Sequence, residues 1–363
     1  MKGTVVYLHA FDLANEIKTS QVRELLSQKP FPFQIRVGVT APKDVPIYAP
    51  LTISLKPLQC ATNAGSLLVK PFVKVFDVGA ISISYEVPFE TPSLFDLMPY
   101  HQLQIAGEPL AAMAEKLARE VAQSLTPFMV KPNPERAQVE AYTSFCLSDV
   151  GGGDVSEWVR ASRVEIACLL SEEPRPDRLA DRQVDETLSH ALTYTRDDFT
   201  VIDWDAALVV DTSGYVDDVL YMIELANLQL EEFRILDDRL DKLFIKAYED
   251  LERKATAASL IFASDNRLSA IRRIRMDITK MSEELTNITK FVGDWYLARI
   301  YLSCKHRFHL GHWEASVDQK LHEIDRLYTL FHQGINEKRM LVLELAIVAL
   351  FVFEVIATLF FKK

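Results

Sequence analysis

The stretch that most constrains this chain is an apolar run over residues 340–361, MLVLELAIVALFVFEVIATLFF, followed by Lys362 and Lys363. It contains no Gly, Pro, Lys or Arg, and its charged residues are Glu344 and Glu354. As a helix it would extend about 33 Å at about 1.5 Å per residue, against a bilayer core of about 30 Å. The pattern predicts a single transmembrane helix, a tail anchor. Basic residues flank it on both sides (Lys338 and Arg339, Lys362 and Lys363), so flanking charge does not orient it. The other end opens MKGTVVYLHAF and enters a strand-like pattern at once, with no signal-type or transit-type segment ahead of it. The bulk of the chain is therefore expected on the cytoplasmic, or an equivalent internal, side of a membrane.

Glu344 and Glu354 are costly where this reading puts them, about 2.5–3.5 kcal/mol for a carboxylate at mid-bilayer. Ten positions apart at about 100° each, they lie roughly 80° apart around the helix axis. Both are predicted to serve association between membrane helices, through shared protons or hydrogen bonds.

At 363 residues the chain has room for about two domains. A net charge of −11 argues against a nucleic-acid partner, which needs a concentrated positive surface. Arg272, Arg273 and Arg275 are the densest basic group, and on a helix they read as a solvated face. The four cysteines, Cys60, Cys146, Cys168 and Cys304, show no CxxC spacing, which fits free or buried thiols rather than a disulfide framework.

Residues 1–205 alternate short apolar runs with helical patterns. Strands are predicted at 4–9, 33–39, 51–58, 164–170 and 199–202, and helices at 14–26, 108–126, 135–145 and 177–192. The clearest hairpin pairs 68–75 with 80–87 through Phe76-Asp77-Val78-Gly79, where Gly79 can supply a positive φ. From Tyr215 to Val292 there is no Gly or Pro, and the apolar period becomes seven. Val216, Ile223, Leu230, Phe244 and Leu251 take one seam position, and Val219, Ala226, Phe233, Leu240 and Ala247 the other. A second seam runs through Ile271, Ile278, Leu285 and Val292. Gly293, Gly311 and Gly334 punctuate the helical stretches that lead to the span. The fold class expected is α+β: a mixed α/β domain over 1–205, a long antiparallel helical hairpin over 206–339, and one transmembrane helix over 340–361.

Three stretches carry a resemblance. VKVFDVGAISI at 73–83 resembles the Phe-Asp-x-Gly-Val hairpin of the required-for-meiotic-nuclear-division and Sad1-interacting-factor family. VIDWDAALVVD at 201–211 and IELANLQLEEFRILDDRLD at 223–241 are similar to its bacterial relatives, as is the closing order of a helical hairpin, Leu343-Glu344, an apolar run and Glu354-Val355. The resemblance implies a membrane-tethered protein and supplies no catalytic residues.

Two constellations have enzyme-like chemistry. Asp203-Trp204-Asp205 ends an apolar strand, where an Asp-x-Asp pair can hold Mg²⁺ and supply a nucleophilic carboxylate. That chemistry needs a further α/β layer, whereas a heptad helix follows within about ten residues, so a packed strand exit is preferred. Cys304, His306, His309 and His312 fall within CKHRFHLGH, and His306 and His309 would share a helix face as two metal ligands. A polar helix end with solvated histidines is the preferred alternative. Gly151-Gly152-Gly153 lacks a following Lys-Ser or Lys-Thr and reads as a turn, not a P-loop. The reading is therefore a membrane-bound scaffold that holds a protein partner or copies of itself, with no catalysis and no cofactor. The competing reading is a metal-dependent phosphohydrolase using Asp203 and Asp205.

Overall fold

A computed structural model of the chain describes residues 1–28, 34–35, 50–132, 139–211, 215–252, 276 and 295–361. The strands are β1 (Lys2–Asp12), β2 (Ala14–Ile17), β3 (Gln34–Ile35), β4 (Leu51–Ser54), β5 (Leu58–Thr62), β6 (Gly65–Val75) and β7 (Ala80–Glu90). They continue with β8 (Gln104–Ile105), β9 (Glu108–Pro109), β10 (Met129–Pro132), β11 (Glu140–Asp149), β12 (Asp198–Ile202) and β13 (Ala206–Asp211). The helices are α1 (Thr19–Gln28), α2 (Leu110–Leu125), α3 (Val155–Ala161), α4 (Arg163–Leu170), α5 (Asp181–Leu188), α6 (Val216–Glu252), α7 (Trp295–Arg307) and α8 (Leu310–Phe361). Two compact units emerge: Met1–Ile235 with Ser282–Trp313, and Leu236–Met281 with Glu314–Lys363. The class is α+β, with the sheet in the first unit.

The sheet is organised around β1, which pairs antiparallel with both β7 and β11. Its strand order runs β12-β13-β11-β1-β7-β6 and on through β5, β8 and β9. β13 joins parallel to β11, so residues 206–211 complete the sheet before α6 begins. Both faces of β1 are apolar, and Val5 to Phe11 are all buried. Such a continuous run marks a strand covered on each side. Val5, Tyr7 and Phe11 face a core shared with Ile83, Phe145, Leu97, Leu110 and Ile166, under α2, α4 and the 3-10 turn Leu94–Tyr100. The opposite face lies against the first half of α6 and against α7. Lys74 of β6 meets Glu224 of α6 at 2.5 Å, and Tyr142 of β11 packs edge-on against Phe308 just past α7.

The β6–β7 hairpin forms as predicted, and Gly79 is at φ +92°. A Cβ there would lie 1.8 Å from the carbonyl oxygen of Ala14, so both the conformation and the close approach of β2 require glycine.

Several expectations are corrected. The helix predicted over 135–145 is, where described, the inner strand β11; burial on both faces removes the alternation that marks a half-buried strand. The strand predicted over 164–170 is helix α4, in which Ile166 to Leu170 are all buried. A short apolar run buried all round carries no period that separates the two forms. The helix expected from residue 14 starts at Thr19, after β2. Much of the strand predicted at 33–39, all of the second seam and the Arg272–Arg273–Arg275 group fall outside the described residues.

The residues of the first heptad seam are buried (Val219, Ile223, Ala226, Leu230, Phe233 and Leu240), but every residue from Tyr221 to Glu231 is buried too, so α6 is covered all round there rather than along one stripe. Its described neighbours are these. Up to Ile235 the partner is the sheet and α7, where the Tyr301 hydroxyl donates to Gln229 at 2.6 Å. Within the second unit, α6 carries Asp237 and Asp241, both paired with Lys320 of α8, beside buried Val317, Leu321 and Ile324.

The membrane expectation is overturned. Among the described residues no helix is long and apolar enough to cross a membrane. The tail anchor, the membrane partner and the localisation drawn from it are withdrawn. Residues 340–361 instead continue α8 without a break from its polar first half.

Candidate functional site

The Asp203-Trp204-Asp205 strand exit is the turn between β12 and β13, closed by the Asp203 N–H donating to the Ala206 carbonyl at 2.9 Å. Its two carboxylates answer to different partners. Asp203 is 3.2 Å from the Arg307 guanidinium, whose Nε also donates to the Ile202 carbonyl. Asp205 senses His101 and Glu172; burial, then Glu172 and Asp203, raise its pKa, and His101 opposes them. The turn therefore does not present a pair of carboxylates to one metal ion.

The histidine group is also divided. His306, near the end of α7, lies 5.3 Å from the ring of His190. His309 sits between α7 and α8 at φ +51°, stacked on His312 at 5.3 Å and against Trp204 at 5.1 Å. Cys304 is fully buried, and burial drives its thiol well above the ordinary range, away from the thiolate a metal needs. Among the described residues no group of three His, Cys, Asp or Glu could hold a metal ion. Glu344 and Glu354 are exposed on the apolar end of α8.

A site absent from the sequence reading lies on the α2 side of the central strands. A cavity of about 300 Å³ is floored by Tyr7 and His9 of β1 and walled by His101, Leu103, Leu110 and Thr143. β1 alternation puts His9 on the same face as Val5 and Tyr7. The His9 ring is 3% exposed, and Tyr85 packs edge-on against it at 5.8 Å. Burial pushes its pKa down to about 4, opposed by a hydrogen bond to the Ile83 backbone. Its Nδ1 is buried with no hydrogen-bond partner. Beside it the Tyr7 hydroxyl donates to the Tyr100 carbonyl at 2.6 Å, which holds the 3-10 turn onto β1.

His101 forms one wall. Its Nε2 donates to the Leu169 carbonyl at 2.7 Å, and its Nδ1 faces Glu172 Oε1 at 3.3 Å. Because Nε2 carries the donor hydrogen, Nδ1 meets the carboxylate as a donor only when the imidazole is protonated. Burial lowers the His101 pKa, and Glu172, the Leu169 carbonyl and Asp205 partly restore it.

Glu172 is placed by an unusual helix end. α4 closes with the Glu172 N–H on Leu169 and the Glu173 N–H on Cys168, the two bonds of a Schellman motif. The left-handed position of that motif usually carries glycine, and here it carries Glu172 at φ +55°. A non-glycine residue there costs about 1–2 kcal/mol, and its return is a carboxylate aimed at His101.

A second cavity of about 370 Å³ lies between Tyr194, Tyr296, Asp198 and Asp211. Asp198 already accepts from the Tyr194 and Thr195 backbones, and Asp211 from the Tyr215 N–H.

Fold and site together define an α+β unit with a helix-covered sheet and a small cavity, and a second, helical unit. The chain belongs to the family described as "Uncharacterized protein MJ0711, N-terminal domain", which matches residues 2–217. A relative, the uncharacterized protein MJ0711 of Methanocaldococcus jannaschii, is 24% identical over 245 residues, covering 67% of this chain and 73% of the relative. No solved structure matches. These matches overturn the resemblance to the meiotic-nuclear-division and Sad1-interacting-factor family. The stretches that carried it are a hairpin, a strand turn and a helix, elements that many α+β chains share.

Proposed function

We propose that the protein is a non-catalytic interaction scaffold that assembles with copies of itself through the apolar end of α8. The observation that carries this reading is the exposure of Leu343, Leu345, Leu350, Phe351, Phe353 and Val355, each more than half exposed, among ten large apolar side chains between 343 and 356. At about 100° per residue, Leu350, Phe351 and Phe353 point in three directions, so the apolar surface runs all round the helix. Such a surface is covered inside a bundle rather than along one seam.

At roughly 100 Å² each, the ten side chains offer about 1,000 Å², where a stable interface needs about 800 Å² per partner. Burying that area is worth at most about 25 kcal/mol at about 25 cal/mol per Å². Glu344 and Glu354 would enter the bundle with it, where a buried carboxylate needs a proton or a hydrogen-bond donor. The metal-dependent reading through Asp203 and Asp205 has no comparable support, because Arg307 and the His101–Glu172 pair draw the two carboxylates apart.

Light scattering of the full chain tests this. The expected mass is that of several copies, falling to one for the double substitution Phe351→Glu and Phe353→Glu. A strict monomer in the unsubstituted chain refutes the scaffold.

A further inference from the structure

The second cavity, of about 370 Å³, falls within the size range of small-molecule sites. Its apolar lining is Val209, Val210, Val219 and Leu297, all buried. Three tyrosines from three parts of the fold join them: Tyr194 ahead of β12, Tyr215 ahead of α6, and Tyr296 in α7. Tyr296 is buried, with its hydroxyl 3.2 Å from that of Thr200, and its ring lies 5.6 Å from the Tyr194 ring. Tyr194 is 70% exposed and Tyr215 65%, so two large rings stand open to solvent at the rim.

The charge on this lining has one sign. Asp198, Asp211 and Asp218 belong to it, and the described lining residues include no Lys, Arg or His. Asp198 and Asp211 face each other across the β12–β13 ladder, a juxtaposition of like charges that disfavours the strand pair. Each also fixes a rim tyrosine: Asp198 accepts from the Tyr194 N–H at 2.9 Å, and Asp211 from the Tyr215 N–H at 2.5 Å. Their field reaches the third ring. Burial raises the Tyr296 pKa, the Thr200 hydrogen bond opposes the rise, and Asp198 and Asp211 add to it. Among the described residues no three His, Cys, Asp or Glu side chains could hold a metal ion, so this is not a metal's donor set. Tyrosine rings beside carboxylates suit an organic cation instead, which the ring quadrupoles attract within about 6 Å.

We propose that this cavity binds a small organic cation with a methylated ammonium group, held against the rings of Tyr194, Tyr215 and Tyr296 in the negative field of Asp198 and Asp211. A quaternary ammonium has no N–H to donate, so the carboxylates act through their field and need no contact with the ligand. The same field disfavours a phosphate or carboxylate on the ligand. Thr195 is exposed beside the two rim tyrosines, which leaves an entry path. The inference is independent of assembly through α8, because every lining residue lies in the first unit.

Three probes separate the contributions: choline, its neutral isostere with a tert-butyl group in place of the trimethylammonium, and phosphocholine. Each is titrated into the full chain by calorimetry. Choline is expected to bind, and the isostere, of the same shape without the charge, should bind at least about fivefold more weakly. Phosphocholine, the form in which a lipid headgroup presents this cation, should bind more weakly than choline because its phosphate enters the carboxylate field. Tyr215→Leu should weaken choline at least about threefold and Tyr215→Phe should restore it, which separates the ring from its hydroxyl. Both changes fall on an exposed side chain and should leave the melting temperature within a few degrees. Asp211→Asn keeps an acceptor for the Tyr215 N–H and should shrink the preference for choline over its isostere. Equal binding of choline and isostere, tighter binding of phosphocholine than of choline, an affinity unchanged by Tyr215→Leu, a preference unmoved by Asp211→Asn, or no binding of choline at about 10 mM each overturns the proposal.

Discussion

Replacing Glu172 by glycine separates a positioned carboxylate from a structural residue. Glu172 occupies the left-handed position that ends α4, at φ +55°, and faces His101 at 3.3 Å. Glycine relieves about 1–2 kcal/mol of backbone strain, but adds about 0.4–1 kcal/mol of unfolded-state entropy. The lost ion pair contributes at most about 1 kcal/mol, since the Glu172 side chain is 44% exposed. The net lies between about −1 and +1.6 kcal/mol, or up to about 6 °C in melting temperature for a unit of this size. Glu172→Ala removes the same carboxylate but keeps the strain, so it should lie about 1 kcal/mol below the glycine variant. In both variants the His101 pKa should fall further, because the carboxylate that partly restores it is gone. Thermal melts give the stabilities, and NMR titration of His101 gives the pKa. A glycine variant that loses more than about 1 kcal/mol, or a His101 titration that does not move, refutes the assignment of Glu172 as a residue kept for its charge.

Two further substitutions test buried charge on α6. Glu231 is 2% exposed with both carboxylate oxygens unpartnered, and burial followed by Glu140 raises its pKa to about 8. A carboxyl raised above its unfolded value favours the fold below about pH 4.5, and that contribution is lost as pH rises through about 8. Glu231→Gln should therefore be nearly neutral at about pH 5 and stabilising by about 3–5 kcal/mol at about pH 8 in urea titrations; equal effects at both would contradict this. Lys74→Met leaves Glu224, 1% exposed, without its ammonium partner and should cost about 3–5 kcal/mol. Adding Glu224→Leu should restore most of that loss in the same assay.

How much was legible depended on whether a pattern had one possible physical cause. The β6–β7 hairpin was readable because its alternation and Gly79 agree. The apolar seam on α6 was readable, but a seam does not state its cover: α6 is buried on every side between Tyr221 and Glu231, and the residues of the second seam lie outside the described ones. Ser82 and Ser84, buried against that cover, are polar positions that a hairpin read alone would turn to solvent. β11 and α4 were exchanged in kind because burial on every side erases periodicity. The terminal run was read from its length and composition, and α8 incorporates it into a longer helix. The cavity was half legible: alternation along TVVYLHAF already groups His9 with Tyr7 and Phe11 on one face, an odd place for an imidazole. His101 and Glu172 gave no such hint, since a left-handed helix end is normally announced by glycine, and here only the backbone angle reveals it.

The central place of β1 has a consequence for biosynthesis. Its two neighbours follow it in the chain by about 80 and about 140 residues, and at about 5–20 residues per second β11 is translated roughly 7–30 s after β1. During that interval one edge of the most apolar strand has no partner, and even β7 can cover only the other. The nascent chain thus carries a sticky, half-paired ribbon through much of its emergence from the ribosome. Expression yield should respond to holdase chaperones and to slower growth temperature more than the equilibrium stability of the finished sheet would suggest.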